Sequence, residues 1–549
     1  MNLLTRIQNC TNIIEQPIVS CRNYSNINNN SLTLDANAIL TQLKSIYSSS
    51  TNLDINSKFD LLTLKVREIL DRNVPVIKLS RKEKKLKLKP WITRGILNSI
   101  KTRNRLYKEV CSSKFRDTDL FKFYKKFRNK LSHIKERSKR QYYEKLLLES
   151  KGDSRKTWEV IKNVIKSGKN KSTVPSQIEI DGKTLNNTHE ILNSLNNHFA
   201  TIGKDPHNTN VNLENVSSTL SHSQLNSFLW EEVTTSEISN IISNLDSRKA
   251  SGSDEISIIL LKKINKLISP ILSELINQAV KNGVYPRCLK TAKVIPLHKG
   301  GSKLNPGNYR PISLLSNINK IFEKVLHLRL YSFLENHSII NDSQFGFREG
   351  YSTELAITEF NEHVIQSYDD NNATCAVLLD LSKAFDTVNR EILLFKLRRY
   401  GIRGSMLELL KSYLDSRKQY VSGGDAKSDL AYVDVGVPQG SVLGPLLFIV
   451  HINDMKFSTN MNVLNFADDT LLYITFNNTR NMENTLNIEL DKINNWLYNN
   501  HLKINTSKTK YMLFTPDTHN WKEIPDPEIK IGQSILERKK KKNSVDCHS

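Results

Sequence analysis

From about residue 236 the density of apolar residues rises above that of the preceding polar and basic stretch, and it stays high to about 515. Within the dense stretch their spacing predicts elements in a definite order. "CAVLLDLS" (375–382) is a short apolar run, a buried strand with Asp380 at its C-terminal end. "REILLFKLRRYGI" and "SMLELLKSYLDSR" follow with helical spacing. "GVPQGSVLGPLLFIVHINDM" (436–455) is a Gly/Pro-rich loop running into an apolar helix. "NFADDTLLYI" (465–474) sets Asp468 and Asp469 amid apolar residues and reads as a hairpin. "ENTLNIELDKINNWL" puts Leu486, Leu490, Ile493 and Leu497 on one helical face, and "TKYMLF" (509–514) is a last strand. The sum is β–α–β–β–α–β, a ferredoxin-like order whose hairpin would lie beside the strand carrying Asp380.

Upstream the pattern is weaker. Residues 1–80 are rich in Asn and Ser, with one helix expected around "SKFDLLTLKVREIL" and loose structure elsewhere. Residues 81–171 predict helices, "KPWITRGILNSIKTRNRLYKEV" and the long "FKFYKKFRNKLSHIKERSKRQYYEKLLLES". Residues 172–235 read as short elements in polar linkers, and "ILERKKKKNSVDCHS" as a charge run with a polar tail.

Charge sharpens this division. The 549-residue chain has a net charge of +23, and the segment Arg81–Lys171 alone holds 30 Lys and Arg against 9 Asp and Glu. Nearly all the basic excess therefore sits in one block, which suits a polyanion. Aromatics run through it (Trp91, Tyr107, Phe121, Phe123, Tyr124, Phe127, Tyr142, Tyr143), favouring nucleic acid over a solvated face or a membrane surface. Arg94, Arg103, Arg105, Lys125, Lys126 and Arg128 are its candidate contacts. No run of about 18 apolar residues occurs, so no membrane span or membrane partner is expected. "MNLLTRIQNC" lacks a signal peptide's apolar core. Six scattered cysteines offer neither zinc spacing nor a disulfide framework, and a reducing intracellular compartment fits.

Two readings of Asp468–Asp469 stand at this point. A hairpin tip is wet and favours Asp. Alternatively, adjacent carboxylates hold divalent cations, which offset their repulsion. The predicted topology could bring Asp380 to the same place, and three such acids suit two Mg²⁺ ions about 3.5–4 Å apart and phosphoryl or nucleotidyl transfer.

"AVLLDLSKAFDTVN", "GVPQGSVLGPLLF" and "FADDTLLY" occur in that order. They resemble the successive active-site motifs of reverse transcriptases, most closely those of non-LTR (LINE-type, jockey-like) retrotransposons. "KASGSDEISIILLKK", "LKTAKVIPLHKGGS", "NYRPISLLSNINKIFEKVL" and "QFGFREGYSTELAI" resemble the family's earlier blocks, and "WLYNNHLKINTSKTKYMLF" its next one. "KPWITRGIL" resembles the region between endonuclease and polymerase. The resemblance covers about 81–535. It implies an α+β fold, a right-hand polymerase with fingers (236–370, with an N-terminal extension) and a ferredoxin-like palm (371–516), preceded by the basic helical region (81–171) and a linker (172–235).

The resemblance also implies roles. Asp380 and Asp468 would be the principal metal ligands, Asp469 assisting, for two Mg²⁺ with Mn²⁺ as a substitute. Phe385 would exclude a 2′-OH; Lys299 and Arg310 would grip the incoming triphosphate. Gln439 and Gly440 would line the nucleotide pocket, and Lys508 would protonate the leaving pyrophosphate. Asp386 reads as a helix cap. Template RNA, primer DNA and dNTPs are the implied partners, in a ribonucleoprotein of cytoplasm and nucleus. No endonuclease motifs precede the basic segment, so a nick is expected from an endonuclease in trans. Residues 517–549 would be the start of a thumb that is largely missing, with truncation or a frame change near residue 537. The alternatives are a catalytically idle RNA-binding relic of such an element and an RNA-directed RNA polymerase.

Overall fold

The computed structural model describes residues 20–22, 24, 27–49, 53–78, 89–113, 115–165, 174–180, 182–204, 211–220, 224–424, 426–478, 481–516 and 527–539. They form two compact units, one built on 76–172, the other joining 24–75 to 173–549.

The larger unit begins with two helices where the sequence suggested one. α1 (Asn29–Ser49) buries Leu32, Ala36, Ile39, Leu40 and Leu43; α2 (Ile55–Asn73) buries Phe59, Leu62, Val66, Ile69 and Leu70. Each set is an i, i+3/i+4 stripe, which in α1 lies concealed in an Asn- and Ser-rich composition. Asp54 caps α2, accepting from the Ser57 amide at 3.0 Å. The expectation of loose structure over 1–80 thus fails for 29–73, because these stripes pack into the unit's main core.

The basic segment is helical as expected. α3 (Arg94–Ser112) starts at a Thr93 cap and α4 (Thr118–Glu149) at an Asp117 cap. They pack through Ile96, Leu106, Val110 and Leu131. Leu131 is the one buried residue of the 32 in α4, so most of that helix is free of its own unit. Residues 81–88, 114 and 166–171 of this segment, and the tail 540–549, lie outside the described residues.

In the larger unit, the region expected as linker contains α5 (Thr188–Thr201), which buries Ile191, Leu192, Leu195 and Phe199. It covers a five-stranded mixed sheet of β1 (Thr291–His298), β2 (Tyr309–Leu314), β4 (Arg417–Gly423) and β5 (Ala431–Val433), ordered β5-β4-β1-β2, with the short strand Ala426–Lys427 also paired to β4. The second sheet comprises β3 (Ala373–Leu379), β6 (Asn462–Phe466), β7 (Asp469–Phe476), β8 (Lys510–Phe514) and β9 (Glu537–Arg538), ordered β6-β7-β3-β8-β9. Its first four strands run antiparallel with the connectivity of a β–α–β–β–α–β unit. β9 pairs parallel to β8, and Ile529, Ile531 and Leu536 are buried beside it. Within 527–539, part of the stretch expected to open a thumb, Lys530–Ile531 and Ser534–Ile535 pair as a small hairpin and only Glu537–Arg538 joins the sheet.

Under this sheet Lys396 and Asp454 form an ion pair with no exposure on either side chain. Asp454 also accepts from Thr219 Oγ1 (2.8 Å) and Trp496 Nε1 (3.0 Å). Lys396 donates to the His451 carbonyl at 2.6 Å. The pair is satisfied, which is the condition for burying charge.

Candidate active site

The β6–β7 hairpin is as tight as a strand pair allows, with Phe466 opposite Asp469 and only Ala467 and Asp468 between. β7 then pairs with β3, Thr470 opposite Leu379. Carrying that register one residue further sets Asp380 opposite Asp469. The three predicted carboxylates therefore meet at one end of two adjacent strands, with Asp468 and Asp380 half-buried and Asp469 exposed. Partial burial, then the Asp468 and Asp380 charges, push the Asp469 carboxyl up. Proximity thus has an electrostatic signature.

Asp380 is held by its backbone. Its amide donates to Thr509 Oγ1 (3.2 Å), and its carbonyl accepts from the Asn505 amide (2.8 Å). Thr509 is fully buried, so this clamp is solid. The same loop carries Lys508, whose Nζ lies 3.8 Å from Asp380 Oδ2.

Facing the acids is a cationic hairpin. Leu297 pairs with Arg310, and Lys299, two residues beyond Leu297, shares that face. Desolvation, then the Arg310 and Lys508 cations, push the Lys299 ammonium down against the pull of Asp386 and Asp380. Lys299 thus feels all four of these charged neighbours. Gln439 joins this hairpin through its carbonyl, which accepts from the Ser313 amide at 3.1 Å. Gly440 follows at φ 102°, and a Cβ there would come within 2.8 Å of the Ser313 carbonyl oxygen. Both conformation and space demand glycine.

Phe385 stacks on the buried Phe448 (centroids 4.6 Å, 22°) and meets Phe347 edge-on at 6.4 Å. Asp386 corrects the sequence reading. Lys383 occupies the cap position of the short helix Ala384–Thr387, while the Asp386 carboxylate accepts from Gln439 Nε2 at 2.7 Å. Desolvation pushes this carboxyl up to about 6, against Gln439 and the cations Lys383, Lys299 and Arg310.

Among the described residues no three His, Cys, Asp or Glu are gathered closely enough to cage a metal unaided. This differs from a three-Asp ligand set formed in advance. It accords with Mg²⁺, which binds one or two carboxylates and completes its shell with water and substrate phosphates.

The nucleic-acid candidates lie apart from these groups in sequence and unit. Arg94, Arg103 and Arg105 are on α3; Lys125, Lys126 and Arg128 are on α4. All are exposed except the half-buried Arg103, which donates to Asn104 Oδ1 at 2.6 Å. Lys125 sits 4.6 Å over the Phe121 ring.

Sequence reasoning missed several supports. Glu323, fully buried, accepts from the Val442 amide (2.6 Å) and Tyr413 hydroxyl (2.8 Å), anchoring the loop after Gly440. A lone acid in the apolar run "KIFEKVL" was its signal. Gln344 and Thr509 are polar and buried, and no local pattern marks them.

Clustered carboxylates facing a cationic hairpin across a glycine-bearing loop are the groups that transfer from a metal-bound triphosphate calls for. Residues 297–544 match the family described as reverse transcriptase (RNA-dependent DNA polymerase). Over about half its length the chain is similar to polymerases named for mobile elements. It is 31% identical over 297 residues to the probable RNA-directed DNA polymerase from transposon BS of Drosophila melanogaster, covering 51% of this chain and 32% of that protein. It is 29% identical over 295 residues to the RNA-directed DNA polymerase from mobile element jockey of the same species, covering 52% and 32%. The chain thus spans about a third of the length of these curated relatives. Among the described residues no helix is long and apolar enough to cross a membrane.

Proposed function

We propose that this chain is an RNA-directed DNA polymerase of a non-LTR retrotransposon, extending a DNA 3′-OH on an RNA template. The observation that carries this is the strand register setting Asp380 opposite Asp469, next to Asp468 and facing Lys299 and Arg310.

In this reading the β6-β7-β3-β8 sheet is the palm and the β1–β2 hairpin belongs to the fingers. Desolvation, and after it repulsion from Asp468 and Asp380, raises the Asp469 carboxyl, which fits a cation-binding donor set with Asp380 and Asp468 as principal ligands and Asp469 assisting. Two divalent cations, Mg²⁺ with Mn²⁺ as a substitute, would activate the primer hydroxyl and neutralise charge on the leaving oxygen. Lys299 and Arg310 bind the triphosphate and offset its developing charge. Phe385, braced by Phe448, blocks the space of a ribose 2′-OH. Gln439 and Gly440 let the nucleotide lie against backbone. Lys508, beside Asp380, gives a proton to departing pyrophosphate. The basic α3–α4 unit binds template RNA, and a nick made by an endonuclease in trans supplies the primer in a ribonucleoprotein of cytoplasm and nucleus.

Primer extension on an RNA template tests this. The expected result is Mg²⁺-dependent incorporation of dNTPs and not rNTPs. Preferred rNTP incorporation would instead make the chain an RNA-directed RNA polymerase. RNA binding without any incorporation would make it an idle relic.

A further inference from the structure

The Asp468 turn has an unusual requirement. Ala467, immediately before it, sits at φ 60°, a left-handed conformation that a residue with a Cβ adopts only at some cost. The flanking strand, β6, is the edge of its sheet, with β7 on one side only. Something must hold this turn in shape.

What lies there is the segment Ser343–Gly346. The Asn465 amide donates to the Ser343 carbonyl, and the Phe345 amide to the Asn465 carbonyl, each at 2.7 Å. These bonds lay Gln344 parallel beside Asn465 and cover the edge. Gln344 is 2% exposed. Its Oε1 accepts two backbone amides, from Gly346 at 2.8 Å and from Ala467 at 3.0 Å. Contact is close enough to exclude any side chain at position 346, where a Cβ would fall 2.2 Å from the Ala467 nitrogen. Phe347, next in the segment, is the residue that meets Phe385 edge-on.

We propose that Gln344 is a positioning residue for the reaction. Its carboxamide oxygen clamps the Ala467 amide and so fixes where Asp468 presents its carboxylate. Ala467 is 5% exposed and its N–H finds its acceptor in the Gln344 oxygen, so removing that oxygen leaves a buried donor unpaired. Gln reaches two amides with one oxygen and brings no charge beside three carboxylates. The step from turn geometry to catalysis rests on the polymerase reading; the clamp itself does not.

Hydrogen–deuterium exchange on the full chain tests the clamp directly. In the wild-type chain the Ala467 and Gly346 amides should exchange as slowly as those of β6. Gln344→Met keeps the volume and removes the acceptor; exchange at 466–468 should rise about tenfold, in line with losing two hydrogen bonds. Gln344→Glu, protonated by burial beside the three carboxylates, keeps a neutral acceptor oxygen and should stay near wild type. In primer extension Gln344→Met should lower kcat about tenfold and raise the half-saturating Mg²⁺ concentration, leaving KM for dNTP unchanged. Wild-type Ala467 exchanging like an exposed turn would overturn the proposal, even if the Met variant does not fold. So would an exchange profile unmoved in Gln344→Met, or Gln344→Glu behaving like Met. A wild-type chain that does not polymerise but shows the Met-specific rise in exchange would refute the polymerase reading and leave the clamp standing.

Discussion

Gln439 and Asp386 are 53 positions apart in sequence and 2.7 Å apart in space, amide nitrogen to carboxylate oxygen. The bond commits the Gln439 side-chain amino group to the protein, and the side-chain oxygen Oε1 is the atom left for the proposed nucleotide pocket. It also gives a titrating acid a place beside the proposed triphosphate grip. The Asp386 carboxyl is raised to about 6 from an ordinary value of 3.8. A raised folded-state pKa means the native state holds its proton longer than the unfolded chain does. The associated stability is complete below about pH 4 and is lost as pH rises to about 6, up to about 3 kcal/mol. Asp386→Asn should flatten the urea midpoint between pH 4 and 6.5; an unchanged slope would show that Asp386 does not titrate there.

Asp468→Asn should abolish dNTP incorporation and leave the melting temperature within a degree or two. The side chain sits half-buried at a turn and contributes little packing. A large fall in Tm, measured by circular dichroism, would make Asp468 structural.

Phe385→Ala should admit rNTPs. The ring stands on Phe448, so truncation opens space at the sugar and also costs about 1–3 kcal/mol of packing. Competition between dNTP and rNTP in single-nucleotide extension measures the gate, and an unchanged ratio would assign sugar selection elsewhere.

Lys396→Met should destabilise the larger unit by about 3–5 kcal/mol, since Asp454 would be left charged and fully buried. Lys396→Met with Asp454→Leu should recover part of that loss. Urea unfolding of the single and double variants reads both; additive losses would dissolve the pair as an energetic unit.

RNA affinity should fall steeply with salt. For single strands each phosphate contact contributes about 0.7 to the slope of log K against log salt. Replacing Lys125, Lys126 and Arg128 by Ala should therefore reduce the slope by about 2, as filter binding across a salt series would show. An equal slope would remove α4 from the RNA-binding surface.

What the sequence made legible follows the range of the forces involved. Strand order and the meeting of Asp380 with Asp468–Asp469 could be read because alternating and continuous apolar runs report burial directly. α1 could not, since its stripe of Leu32, Ala36, Ile39, Leu40 and Leu43 is outnumbered by polar neighbours. Asp386 was assigned to a cap on local grounds, and a distant amide won it. Gln344 was invisible for the same reason. Its partner Ala467 is 123 residues away, and a side-chain-to-backbone bond leaves no periodicity.

Phe59 of α2 lies parallel to Phe322 at 6.1 Å, and Tyr285 stacks on Phe322 at 4.8 Å. Of these three rings only Phe322 falls within the matched segment 297–544. The boundary of family likeness is therefore not the boundary of independent folding. An expression fragment cut at residue 297 would lose Phe59 and Tyr285, bare Phe322, and be prone to aggregate. A soluble fragment of the larger unit has to begin ahead of α1, near residue 24.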